Sequence, residues 1–173
     1  MTEVLLSTAS FLYAGSWSAY LANHTGGRPK ALRAATWLLL VGACIHLTAL
    51  LVRFVAVGIP PVTSGFEGLS LLSLLIAVIF LTMRRRFPID ALGTFVAPLV
   101  FLHLSTSLLF AHGDQPIPEA LRTIYFYVHI APAFLGDAFL AMAAVASIAY
   151  LLQERTLRRK AFPAVDARLP NLQ

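Results

Sequence analysis

Five long apolar runs, separated by short polar connections, constrain this chain more than any single motif does. They cover roughly residues 3–23, 34–56, 66–83, 90–111 and 123–152. A helix needs about 20 mostly apolar residues to cross the hydrocarbon core of a bilayer. Each run meets that length, the third near its short limit. The runs are too long and too uniformly apolar for barrel strands, and a chain in lipid must satisfy its own backbone hydrogen bonds, which leaves helices. The expected fold is therefore an all-α, polytopic membrane helix bundle of five transmembrane helices over residues 1–160. A proline-interrupted polar tail, read as disordered, follows at 161–173. Composition agrees, since only 12% of residues are charged, against about one-quarter in soluble domains.

Lysine and arginine placement gives the direction of insertion. The first connection carries Arg28, Lys30 and Arg33, the third Arg84, Arg85 and Arg86, and the C-terminal segment Arg155, Arg158, Arg159, Lys160 and Arg168. The second connection, VGIPPVTSG, has no positive residue, and the fourth has Arg122 beside Asp114 and Glu119. The alternation predicts the N-terminus outside and the C-terminus cytoplasmic, in the cell inner (plasma) membrane. The flank MTEV lacks the positive charge of a secretory leader, so the first run reads as a retained span. The net charge of +5 is spread in short clusters between apolar runs rather than along one face, which argues against a nucleic-acid partner. Cys44 is the lone cysteine, so an intrachain disulfide or thiol relay is excluded.

Ionisable groups at membrane depth are costly, and each is a functional candidate. Here they are His46, Arg53, His103, His129 and Asp137. At 1.5 Å of rise per residue, His46 lies roughly 16 Å above the cytoplasmic end of its run, near mid-membrane. His103 and His129 come to similar depth in the outer half, on separate helices, as two imidazoles approaching one metal would. A single membrane histidine is more often an interhelical hydrogen-bonding residue than a ligand. Three of them on three helices raise the case for ligation. There is no H-E-x-x-H or cysteine-rich cluster of the kind zinc takes, whereas haem asks for one or two axial histidines and an apolar slot. Arg53 either snorkels to the headgroups or pairs with a haem propionate or with Glu67, which opens the next run. Asp137 lies roughly 21 Å below the outer surface, nearest His46 in depth. Pro98 and Pro132 interrupt the last two runs and open space between neighbours.

Two stretches resemble a known family. RFVAVGIPPVTSGFEGLSLLSLLIAVIFL (53–81) is similar to the Arg…Gly-x-Pro-Pro…Glu…Leu pattern of cytochrome c assembly membrane proteins of the CcsA type. HIAPAFLGDAFLAMAAVASIAYLLQERTLRRK (129–160) resembles the histidine-bearing helix of the same proteins and of their HemX-like relatives. The resemblance runs from about Leu38 to the end. It implies haem handling in the membrane, with His129 matching the outward axial ligand, Glu67 the motif glutamate and Arg53 the arginine before the Gly-x-Pro-Pro loop. The tryptophan-rich outer segment of haem presenters is missing, the only tryptophans being Trp17 and Trp37. Asp137 stands where an aromatic residue is more usual. Those departures resemble the HemX-like branch or a short form of either.

Together these readings give a non-enzymatic protein of cytochrome c biogenesis that binds non-covalent, b-type haem. His129 and His103 would be its metal ligands, with His46, Arg53 and Glu67 further cofactor-binding candidates. Its partners would be haem, the lipid bilayer, and apocytochrome c or other cytochrome c assembly membrane proteins. A second copy in a homo-oligomer would be a further partner, able to supply the missing half of the site. The alternative is a membrane scaffold or regulator of a haem-biosynthesis or cytochrome-assembly complex that binds no haem.

Overall fold

A computed structural model describes residues 1–58, 62, 64–110 and 123–159. These residues are all-α. Helix α1 spans Thr2–Gly26, α2 Pro29–Val57, α3 Gly65–Met83, α4 Gly93–Phe110 and α5 Ile124–Arg159, with a 3-10 turn at Asp90–Leu92 leading into α4. Pro98 and Pro132 lie inside continuous helix. Residues 59–61, 63, 111–122 and 160–173 fall outside the described residues.

Local chemistry places the helix ends. Gly27 takes a left-handed φ of 59°, and its N–H returns to the Asn23 carbonyl at 2.8 Å, a conformation that glycine adopts without a Cβ clash. Pro29 follows in the first turn of α2, where its missing N–H would have had no helical partner. This proline lets α2 begin earlier than the expected residue 34. Ser64 caps α3 by accepting the Glu67 N–H at 3.2 Å.

Among the described residues, α2, α3, the segment Asp90–Leu109 and α5 are long and apolar enough to cross a membrane. Helix α1 has the length, but Ser7, Thr8, Ser10, Ser16, Ser18, Asn23 and Thr25 dilute its hydropathy. Most of those hydroxyls are satisfied within the protein. Thr8, Ser18 and Thr25 donate to carbonyls one turn back at 2.8, 3.0 and 3.0 Å. Ser16 donates to the Ala35 carbonyl of α2 at 2.8 Å, and Ser10 meets Ser105 of α4 at 2.9 Å. A hydrogen-bonded hydroxyl carries far less desolvation cost than a bare one.

Helices α1 and α2 form an antiparallel hairpin across Gly27 and Arg28. Helix α1 also lies along α4, α4 along α3, and α3 meets α2 more thinly, so α1 to α4 close a ring. Its interior holds Tyr13, Leu39, Ile76, Phe80, Val100 and Leu104. Ser73 of α3 donates to the Val100 carbonyl of α4 at 2.9 Å. Helix α5 lies outside the ring, against α3, and touches α4 only slightly. The Phe134 ring fills a notch over Gly68, where a Cβ would come within 2.7 Å of it.

The Tyr20 ring of α1 lies edge-on to Phe80 of α3, with centroids 6.1 Å apart, and fills the space beside Gly93 of α4. The α1–α2 and α3–α4 connections therefore sit at one end of the bundle. That end gathers Arg28, Lys30, Arg33, Arg84, Arg85 and Arg86, with Arg84 Nε donating to Asp90 at 2.7 Å. At the other end, an Arg53–Glu67 ion pair ties the close of α2 to the start of α3.

Candidate functional site

The polar residues of the apolar runs fall into three separate places. The first is inside the ring. His46 on α2 is fully buried, and Gly42 one turn earlier leaves room for the Tyr13 ring of α1. Tyr13 Oη lies 3.2 Å from His46 Nδ1, and Ser70 Oγ of α3 lies 2.9 Å from Nε2. A neutral imidazole has one donor and one acceptor, and a hydroxyl can play either part. Both ring nitrogens are thus engaged, and the side chain brackets α1, α2 and α3. To ligate a metal, His46 would have to give up one of these bonds.

The second place is the end of the ring where α2 passes to α3. Arg53 lies two turns beyond His46 on α2, and Glu67 lies one turn before Ser70 on α3. Their ion pair engages Arg53 Nη2. Arg53 Nη1 is buried with no hydrogen-bond partner among the described residues. One arm of the guanidinium is held by Glu67, and the other keeps donors for a second anion.

The third place is the pair of helices α4 and α5. His103 on α4 is half-buried, with Nδ1 2.8 Å from the Leu99 carbonyl. A carbonyl can only accept, so Nδ1 donates, and in the neutral tautomer this leaves the lone pair on Nε2. A backbone bond of this kind orients metal-ligating histidines. His129 on α5 is exposed and makes no hydrogen bond to a described residue. Helix α5 buries a stripe of Ala138, Met142, Val145, Ala149 and Gln153. His129 precedes Ala138 by about two and a half turns at 3.6 residues per turn, so it looks away from the ring. His103 lies about 10 Å below the end of α4 and His129 about 8 Å below the start of α5. No hydrogen bond or ring contact joins the two among the described residues.

Asp137 is also exposed on α5. Because α5 packs on α3 rather than α2, its carboxylate does not face His46, the partner that depth alone suggested. The described residues hold no group of three or more His, Cys, Asp or Glu placed to take a metal ion.

Two side-chain contacts are only faintly marked in the sequence. The Tyr13–His46–Ser70 bracket leaves a faint trace, three polar residues in three apolar runs at compatible depth. The Arg84–Asp90 contact has a plainer signal, opposite charges flanking the short turn RRRFPID.

Residues 62–173, more than half of the chain, match the family model described as Cytochrome C assembly protein. The matched segment takes in α3, α4 and α5, with Glu67, His103 and His129. It leaves out α1 and α2, with His46 and Arg53, although the resemblance read from the sequence begins near Leu38. No curated protein and no solved structure matches the chain significantly.

Proposed function

We propose, from the premise that the chain belongs to the cytochrome c assembly protein family, that it carries haem in the membrane and holds it through His129. The family and the four apolar helices support a multi-pass membrane protein acting in cytochrome c biogenesis. Haem is its cargo, to be delivered to apocytochrome c directly or through other assembly proteins of the membrane.

The donor set suits that cargo. Haem iron takes one or two axial nitrogens and an apolar surrounding, so it asks for scattered imidazoles rather than a ligand cluster. One observation carries the reading: within the matched segment, His129 presents an exposed imidazole that no described residue engages. His103, with its proton held on Nδ1, is the second ligand candidate of the same chain. Arg53 can offer Nη1 to a propionate while Glu67 keeps the guanidinium in place. Bound haem would supply the iron porphyrin. The chain would supply a nitrogen, a cation and apolar walls, and makes or breaks no bond in it. His46, doubly bonded inside the ring, serves as the bracket of the scaffold.

The same reading has five membrane spans, the N-terminus outside, the C-terminus cytoplasmic, and the inner (plasma) membrane as location. Two observations support it. The hydroxyls of α1 are largely satisfied within the bundle, and Arg28, Lys30, Arg33 and Arg84–86 gather at one end, as cytoplasmic loops do.

The test is an absorption spectrum of the detergent-purified protein from haem-replete cells. A Soret band is expected, lost in His129→Ala and retained in Trp37→Phe. A colourless wild type would overturn haem carriage in favour of the scaffold reading. The engaged nitrogens of His46 and the absence of tryptophan from the matched segment speak for that second reading.

A further inference from the structure

The α1–α2 and α3–α4 connections bring a carboxylate and a row of cations together at one end of the bundle. We propose that this end binds the headgroup of a phospholipid bearing a primary ammonium, the ammonium inside a polar cavity and the phosphodiester on its basic rim. The inference is independent of haem and rests on the helices crossing a bilayer.

Between the end of α1, the start of α2 and the turn into α4 lies an open cavity of about 330 Å³. Its walls include Asn23, His24, Leu32, Asp90, Ala91 and Thr94. Both Arg84 contacts, from Nε at 2.7 Å and from Nη2 at 2.5 Å, fall on Asp90 Oδ1. Arg84 stands outside the lining, so it fixes the carboxylate without filling the space. Asp90 Oδ2 has no partner among the described residues, and neither do the Asn23 amide and the Thr94 hydroxyl. All three residues are half-buried. A primary ammonium carries three donors. The Asp90 carboxylate, the Asn23 amide oxygen and the Thr94 hydroxyl offer it three acceptors around one cavity.

The rim has the opposite sign. Arg28 stands between Gly27 and Pro29, which also line the cavity, and Lys30 and Arg33 follow on α2. Arg85 and Arg86 lie on the connection that leads to Asp90. All five of these cations are exposed. A simple cation meets this basic field before it reaches Asp90, and a simple anion meets the carboxylate once inside. A ligand positive at its tip and negative one short link behind satisfies both, and an ethanolamine phosphodiester has that order of charge. The level in the bilayer agrees. Leu32 and Ala91 lie at the starts of the apolar stretches of α2 and α4, where headgroups give way to hydrocarbon. Exposed Trp37, about 8 Å deeper on α2, marks the same boundary as interfacial tryptophans do. Basic pockets between membrane helices take lipid headgroups, and the carboxylate inside this one selects for an ammonium.

The experiment offers the detergent-purified full chain equal amounts of five lipids and reads those retained by native mass spectrometry. The lipids are phosphatidylethanolamine, its monomethyl and dimethyl derivatives, phosphatidylcholine and phosphatidylglycerol. Phosphatidylethanolamine is expected to be retained about tenfold over phosphatidylcholine, the worth of one hydrogen bond to a charged group. Retention should fall stepwise as methyl groups replace the N–H donors. Asn23→Ala combined with Thr94→Val leaves the Arg84–Asp90 contact in place and is expected to abolish that preference. Arg28→Gln combined with Lys30→Gln is expected to lower the retention of every phospholipid alike. Equal retention of all five lipids, or a preference that survives Asn23→Ala with Thr94→Val, overturns the assignment. Phosphatidylglycerol retained ahead of phosphatidylethanolamine also overturns it, because the basic rim alone would then be the site. A colourless protein that keeps the preference overturns haem carriage and leaves this inference standing.

Discussion

At the scale of single residues, His46 does the most for the scaffold. Replacing it strands the Tyr13 and Ser70 hydroxyls and opens a cavity between three helices. A stranded buried hydroxyl costs about 1–3 kcal/mol in soluble proteins, while interhelical hydrogen bonds within membranes average nearer 0.6 kcal/mol. His46→Ala is therefore expected to lower stability by about 1–3 kcal/mol, and Tyr13→Phe by roughly 0.6 kcal/mol. Reversible unfolding in mixed micelles would measure both. The Soret band should persist in folded His46→Ala; its loss would make His46 a ligand after all. Sequence alone made His46, His103 and His129 visible as polar groups out of place. It left their facing hidden, because these helices are apolar on every side and no polar stripe marks an outer surface. Opposite outcomes followed for similar side chains: His46 is sealed in the ring, and His129 looks outward.

Among the helices, the joint between α3 and α5 is sensitive to substitution. Phe134 lies over Gly68, so any side chain there meets the ring. Gly68→Val should push α5 away from α3 at a cost of about 1–3 kcal/mol, the usual range for overpacking. Phe134→Ala combined with it should recover part of the loss. A double-mutant cycle on protease resistance of α5 would read the coupling, and additive losses would mean that the two residues act separately. Helix extents were largely legible in the sequence, because length and hydropathy control them, and Ser64 and Gly27 carry local signals. The early start of α2 turned on Pro29, which hydropathy does not register. The peripheral position of α5 was not legible, since packing order depends on which small residues oppose which rings.

For the whole molecule, the arrangement of charge makes topology testable. In a Cys44→Ala background, Lys30→Cys and Arg85→Cys should react with an impermeant maleimide from the same side of sealed membranes. Thr123→Cys and Glu3→Cys should react from the other side. Labelling of Glu3→Cys together with Lys30→Cys would show that α1 does not cross, and would reduce the bundle to four spans. The all-α class and the grouping of positive connections could be anticipated, because lipid admits few architectures and lysines and arginines collect on one side. The closing of α1 to α4 into a ring could not, since it rests on contacts such as Tyr20 with Phe80.

The hydroxyls of α1 bear on how the protein is made. Thr8, Ser18 and Thr25 bond within the helix, but Ser16 needs the Ala35 carbonyl of α2 and Ser10 needs Ser105 of α4. As it leaves the ribosome, α1 is a poor candidate for entering the bilayer alone. Joined to α2 across a turn of two residues, it can cross the translocon as one half of a hairpin, its strongly apolar neighbour drawing it in. On the five-span reading, a truncation that ends before α2 should leave α1 on the wrong side of the membrane boundary, even though every residue of α1 is intact.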